Sequence, residues 1–153
     1  MKNKKIHDII MLHGSDIIKS NNINIQKSNY QHGKVSVYEH SLKVAYLSIL
    51  ISKKLHIKLN YRSLVRGALL HDYFLYDWHT KDKSNRLHGF THAKRALKNA
   101  EKEFSLNPIE RDIIIRHMFP LNIKPPKYRE SIIVCIADKI SATLETLFLR
   151  KEY

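Results

Sequence analysis

In Gly67-Ala68-Leu69-Leu70-His71-Asp72 an imidazole and a carboxylate stand side by side at the end of an apolar helical run. Burying either group without a partner is costly, and an ionised carboxylate costs most, so the pair calls for a compensating cation. A metal ion is one candidate, because Zn, Fe and Mn all accept imidazole nitrogen and carboxylate oxygen. His40, His88, His117 and Asp138 carry donors of the same kind at or inside apolar helical patterns. Taken singly, these residues have plainer readings. His40 could be a core histidine bonded to a backbone carbonyl, and Asp138 could belong to a salt bridge.

The segments that would position these donors read as helices. Ser36-Val37-Tyr38-Glu39 is a capping box, which starts a helix at Val37. His40 then shares a face with Val44, Leu47 and Ile51, so its ring points inward. Asn60 is a good cap for a second helix running to His71-Asp72. On it Leu64 and Ala68 share a face with His71, while Val65, Ala68 and Leu69 lie over Asp72. His88 and His92, four residues apart, share one face at the start of the next helix, above the stripe Phe90, Ala93, Leu97, Ala100 and Phe104. Gly89 stands where the zinc-protease motif His-Glu-x-x-His needs its Glu, which argues against a peptidase.

Asn107-Pro108-Ile109-Glu110 opens a further helix that His117 closes. After Pro125-Pro126 a last helix begins near Lys127 and carries Asp138 in its middle, behind Ile132-Ile133-Val134-Cys135-Ile136-Ala137. Ahead of all these, the spacing predicts a helix over about Lys4 to Ser20, with Gly14 as a possible break, and a polar loop from Asn21 to Gly33. The aromatics from Tyr73 to Trp78, followed by a polar stretch, could wall a ligand pocket or pack beneath a surface loop.

Composition bounds the function classes. A chain of 153 residues is most simply one domain that buries a real core. The single Cys135 cannot form an internal disulfide and reads as a small buried residue in a reduced compartment, so a cytoplasmic location is expected. His7, Asp8 and His13 interrupt what would be the apolar part of a signal peptide. The longest uncharged run towards the other end, Ser131 to Ala137, is far short of the roughly 20 residues that span a bilayer, so no membrane partner is expected. The excess of 27 Lys and Arg over 14 Asp and Glu gives +13 and favours anionic partners, although Lys enrichment beside abundant Ile and Asn can also reflect biased base composition. Because the basic residues are scattered and no base-stacking motif accompanies them, nucleic acid is the lesser reading.

Together, His40, His71-Asp72, His88, His117 and Asp138 resemble the HD-domain phosphohydrolase superfamily, whose identifying order is His, His-Asp, Asp on successive helices. The extra histidines are similar to the six-ligand set of binuclear members, among them the bacterial diadenosine-tetraphosphate hydrolases and the HD-GYP cyclic-dinucleotide phosphodiesterases. The resemblance covers about Ser36 to Leu147. It implies an all-α fold of about six helices in one compact unit, with a metal site between helices. Residues 36–153 would form the HD domain, and 1–35 a helix and loop packed on it. It further implies one divalent ion at His40, His71, Asp72 and Asp138 and a second at Asp72, His88 and His117, with Asp72 bridging; Fe, Mn or Zn would serve, as one ion or two.

Leu87-His88-Gly89-Phe90-Thr91-His92-Ala93 resembles the His-x-x-x-Gly-Ala segment of binuclear members, which makes His88 the ligand. His92 then takes the place of the usual Gly, where it could bind substrate phosphate. The Gly-Lys that follows His-Asp in HD-GYP proteins is replaced by Phe74-Leu75-Tyr76, and no Gly-Tyr-Pro occurs, so cyclic-dinucleotide activity is not expected.

Two divalent cations, four neutral imidazoles and two carboxylates would leave a net charge of about +2 for hydroxide and phosphate. Metals about 3.5–4 Å apart can share a water, lower its pKa towards 7 and set it in line with phosphorus. The expected activity is metal-dependent hydrolysis of a phosphate ester or anhydride in a nucleotide or similar small molecule. Arg66 and Lys139 are the candidate stabilisers of the transition state beside Asp72, and His92, Lys124 and Tyr73 the candidate substrate contacts; surface solvation is the plainer role for Arg66, Lys139 and Lys124. The alternatives are a nucleotide-sensing module that does not hydrolyse, motivated by the missing Lys after His-Asp, and a basic nucleic-acid-binding protein. The oligomeric state stays open.

Overall fold

Capping side chains fix where the helices begin. Ser36 Oγ accepts from the Glu39 amide at 3.2 Å while the Glu39 carboxylate accepts from the Ser36 amide at 3.0 Å, which opens α3 (Val37–Lys54). Asn60 Oδ1 accepts from the Ser63 amide at 3.0 Å and opens α4 (Tyr61–Leu70). The Asn107–Glu110 capping box, with Pro108 in the first turn, opens α6 (Pro108–Arg116). The structure, a computed structural model, describes residues 2–32, 34–75 and 88–150, with side chains over 4–31, 34–75 and 91–147. Among the described residues the remaining helices are α1 (Lys2–Ile18), α2 (Ile23–Ser28), α5 (His88–Glu103) and α7 (Arg129–Arg150). The fold is therefore all-α, as expected, apart from one very short hairpin, and α7 starts two residues after Lys127.

The stretch expected to be a polar loop is the main departure. It holds α2 and then β1 (Tyr30–His32), paired antiparallel with β2 (Val35–Ser36), Tyr30 opposite Ser36 and His32 opposite Val35. Strands of three and two residues are too short to show the alternation by which a strand is read, and the irregularity between their paired positions blurs it further.

α4 is the hub. Every residue from Ser63 to Leu70 is buried, because α1, α3, α6 and α7 all pack on it. A helix enclosed on all sides needs small residues where its neighbours come close. Gly14 lets α1 run unbroken past Leu69 and Val65, so it marks a close approach and not the break its position allowed. Gly67 meets α6: a Cβ there would clash with Ile113 Cδ1 and lie 2.9 Å from both Cβ and Cγ2 of Ile113.

Gly67→Ala is accordingly expected to destabilise the protein by about 1–2 kcal/mol, overpacking outweighing the gain in helix propensity. A lower urea midpoint with an unchanged slope would bear this out, and an unchanged midpoint would contradict it. No described helix is long and apolar enough to cross a membrane.

Candidate metal centre

Two histidines reach the centre by the same local device. His71 and His117 each sit one residue past a helix end, where the last carbonyls have no helical partner. Each ring donates from Nδ1 to the carbonyl three residues back, His71 to Ala68 and His117 to Ile114, both at 2.7 Å. That bond caps the helix and leaves Nε2 facing inward, the arrangement in which a histidine serves a metal.

His40, in the first turns of α3, is gripped from α7. Its Nε2 lies 3.0 Å from Asp138 Oδ1 and its Nδ1 2.9 Å from Glu145 Oε2, carboxylates seven residues apart on one face of that helix. His92 enters from α5, with Nε2 2.9 Å from His117 Nε2.

Asp72 stands among all four rings. Its Oδ2 is 3.3 Å from His71 Nε2 and 3.9 Å from His40 Nε2, while its Oδ1 is 3.3 Å from His92 Nε2 and 3.4 Å from His117 Nε2. The two oxygens of one carboxylate thus face two different pairs of imidazoles. Among the described residues, three groups have ligand atoms within 4.8 Å of one another: His40, His71 and Asp72; His71, His117 and Asp138; Asp72, His92 and His117.

The charges of the metal-free site follow from its crowding. Burial opposes the charged form of His40, but the hydrogen bonds it donates to Asp138 and Glu145 outweigh it and push its pKa up to about 9. Burial likewise opposes a charged His71, yet Asp72 and Asp138 hold it well above the ordinary imidazole value. His117 goes the other way: burial prevails and keeps it neutral. Asp72 is drawn well below the carboxylate range despite burial, chiefly by the charge of His71 and by the nearby His117 and His92 rings; the hydrogen bond from His40 and the neighbouring His71 hold Asp138 down in the same way.

The site is thus an ionised pair of carboxylates compensated by protons on imidazole nitrogens, places that a divalent cation could take. His71 Nε2 and Asp72 Oδ1 have no hydrogen-bond partner although both are buried, which native proteins rarely tolerate at a site without a ligand. The donor set and these two orphaned atoms fit a metal.

The HD domain family model matches residues 37–143, more than two thirds of the chain. The chain belongs to the HD domain family. Among curated proteins and solved structures, none matches it. The matched segment of this HD protein contains His40, His71, Asp72, His92, His117 and Asp138, and members of the family are generally hydrolases.

The other residues singled out from the sequence are placed as follows. The side chain of His88 lies outside the described residues, as does Tyr76 to Leu87, the greater part of the stretch from Tyr73 that could wall a pocket. His92, expected at the substrate phosphate, stands inside the cluster. Spacing alone could not choose between two histidines on one helical face.

Arg66, expected near phosphate, is buried and bonded to Asp16 at 2.6 and 2.7 Å, with its Nε 3.3 Å from Glu110. Five residues before His71 is about 140° around the helix, so its side chain leaves on another face and ties α1 and α6 to α4. Tyr73 donates to Glu103 Oε2 at 2.6 Å and packs on Phe104, turned towards α5 and not the cluster. Lys139 Nζ donates to the His117 carbonyl at 3.0 Å, next to the centre, and Lys124 is exposed in the connection before α7.

Among the described residues, Glu145, Gln31 and Gln26 escaped the sequence reading. Glu145 could have been found from its seven-residue offset to Asp138. Gln31, whose Nε2 donates to Asp72 Oδ2 at 2.6 Å, carries no signal, because the hairpin that delivers it was not legible.

Proposed function

We propose that this HD protein is a metal-dependent phosphohydrolase acting on a phosphate ester or anhydride of a small molecule, with nucleotides as the first class to test. One observation carries the reading: the two oxygens of Asp72 are directed at separate imidazole pairs, as a carboxylate shared by two ions requires. In this reading His40, His71, Asp72 and Asp138 hold one ion, while Asp72, His92 and His117 hold the other, His92 taking the part expected of His88. Mn, Fe and Zn all suit this nitrogen and oxygen set. Such ions supply Lewis acidity and lower the pKa of bound water towards neutrality.

The side chains do the rest. Asp72 and Asp138 stay ionised and draw cations in, and the carbonyls of Ala68 and Ile114 keep the His71 and His117 rings in register. With neutral imidazoles and only two carboxylates in the ligand set, the loaded centre is net positive and attracts a phosphate dianion. Residues 36–153 would form the catalytic HD domain, with 1–35 packed against it.

The test is phosphate release from a panel of nucleotides and sugar phosphates with Mn, Fe or Zn added, against a chelator control. Turnover that the chelator abolishes supports the proposal. A metal-loaded protein that binds a nucleotide and returns it unchanged would instead make this a sensing module.

A further inference from the structure

Asp72 lies beyond the end of α4, where the helical hydrogen-bond ladder no longer fixes the chain. Two glutamines from the N-terminal segment, outside the residues that match the family, hold it there. Gln26 of α2, fully buried, donates from Nε2 to the backbone carbonyl of Asp72 at 3.1 Å. Gln31 of β1, 8% exposed, donates from Nε2 to Asp72 Oδ2 at 2.6 Å. The orientation of the Gln31 amide is not arbitrary: turned over, it would set its oxygen against an ionised carboxylate.

We infer that Gln31 is a positioning residue for the metal centre, and that the helix–hairpin segment before the matched region completes that centre. The inference rests on the proposed reading of Asp72 as a shared metal ligand. A carboxylate oxygen has two lone pairs; the Gln31 amide occupies one on Oδ2 and so directs the other towards His71 and His40. Gln26, together with the Phe74 amide at 2.7 Å, holds the carbonyl of the residue from which the carboxylate hangs. Between them they set both the position and the rotation of Asp72, which its own helix cannot do.

Gln31 also keeps its Oε1 buried with no hydrogen-bond partner, and Gln26 Oε1 is in the same state. A buried amide oxygen of this kind needs a donor.

Gln31→Met tests the inference, because it keeps side-chain length and burial and removes only the amide. Mn2+ affinity is read by competition with a chelator, and the visible spectrum of the Co2+-substituted protein is recorded alongside. Affinity is expected to fall about 10–100-fold, as when other groups that orient metal ligands are removed, and the Co2+ bands to shift. Circular dichroism of the metal-free variant shows whether it folds; if it does not, Gln31→Asn, which keeps the amide but is one methylene too short, is expected to give the same loss.

Wild-type affinity and an unshifted Co2+ spectrum in a folded variant would overturn this inference alone. Failure of the wild-type protein to bind either ion would overturn it together with the proposed function.

Discussion

Replacing Asp72 by alanine is expected to release both ions and to cut turnover by about 10³-fold or more, the upper end of what one preorganised electrostatic group contributes. The two oxygens of its carboxylate face different pairs of imidazoles. Oδ2 lies near His71 and His40, and Oδ1 near His92 and His117. His92→Ala is the matched comparison. Because His92 lies beside His117 and Oδ1, its loss should release one ion and leave the His40, His71 and Asp138 side able to bind. Metal content per folded chain separates the two variants. Full turnover in Asp72→Ala, or equal metal content in both, would contradict the shared-ligand account.

The metal-free protein is expected to lose about 3 kcal/mol of stability between pH 6 and pH 10 because of His40. Its pKa is raised from 6.5 to about 9 in the folded state, where Asp138, Glu145 and Asp72 favour its proton against the cost of burial. A raised imidazole pKa stabilises fully below the unfolded value of about 6.5 and is lost as pH climbs through 9. Asp72, Asp138 and Glu145 act in the opposite sense, their lowered values giving stability that is present near neutrality and lost in acid.

Metal binding competes with the same protons. At pH 7 the ions must displace protons from His40 and His71, so affinity should rise with pH, and the binding heat should depend on the buffer's ionisation enthalpy. Urea unfolding of chelator-treated protein at pH 6, 8 and 10 checks the first claim; constant stability across that range would contradict it.

Helix starts and the inward turn of His40 were legible because capping and periodicity are local: Ser36 with Glu39, Asn60 with Ser63, and Asn107 with Glu110 all act as their spacing implied. Convergence of His40, His71, Asp72, His117 and Asp138 was legible for a related reason, since a histidine or aspartate at the end of a buried helix can rarely stand alone. What stayed hidden depends on contacts between segments. Arg66 looked close to the centre along the chain but points half a turn away, into Asp16 and Glu110. Gln31 reaches Asp72 across 41 residues of sequence from a hairpin whose strands are too short to leave a pattern. Gly14 and Gly67 are explained only by the three-dimensional packing of α1 and α6 on α4.

Native mass spectrometry of the wild-type protein after reconstitution with Mn2+ tests most directly whether one carboxylate joins two metal subsites. Two ions per chain, reduced to none by Asp72→Ala, is the result this account predicts. No bound ion in the wild type, or two ions retained without Asp72, would contradict it.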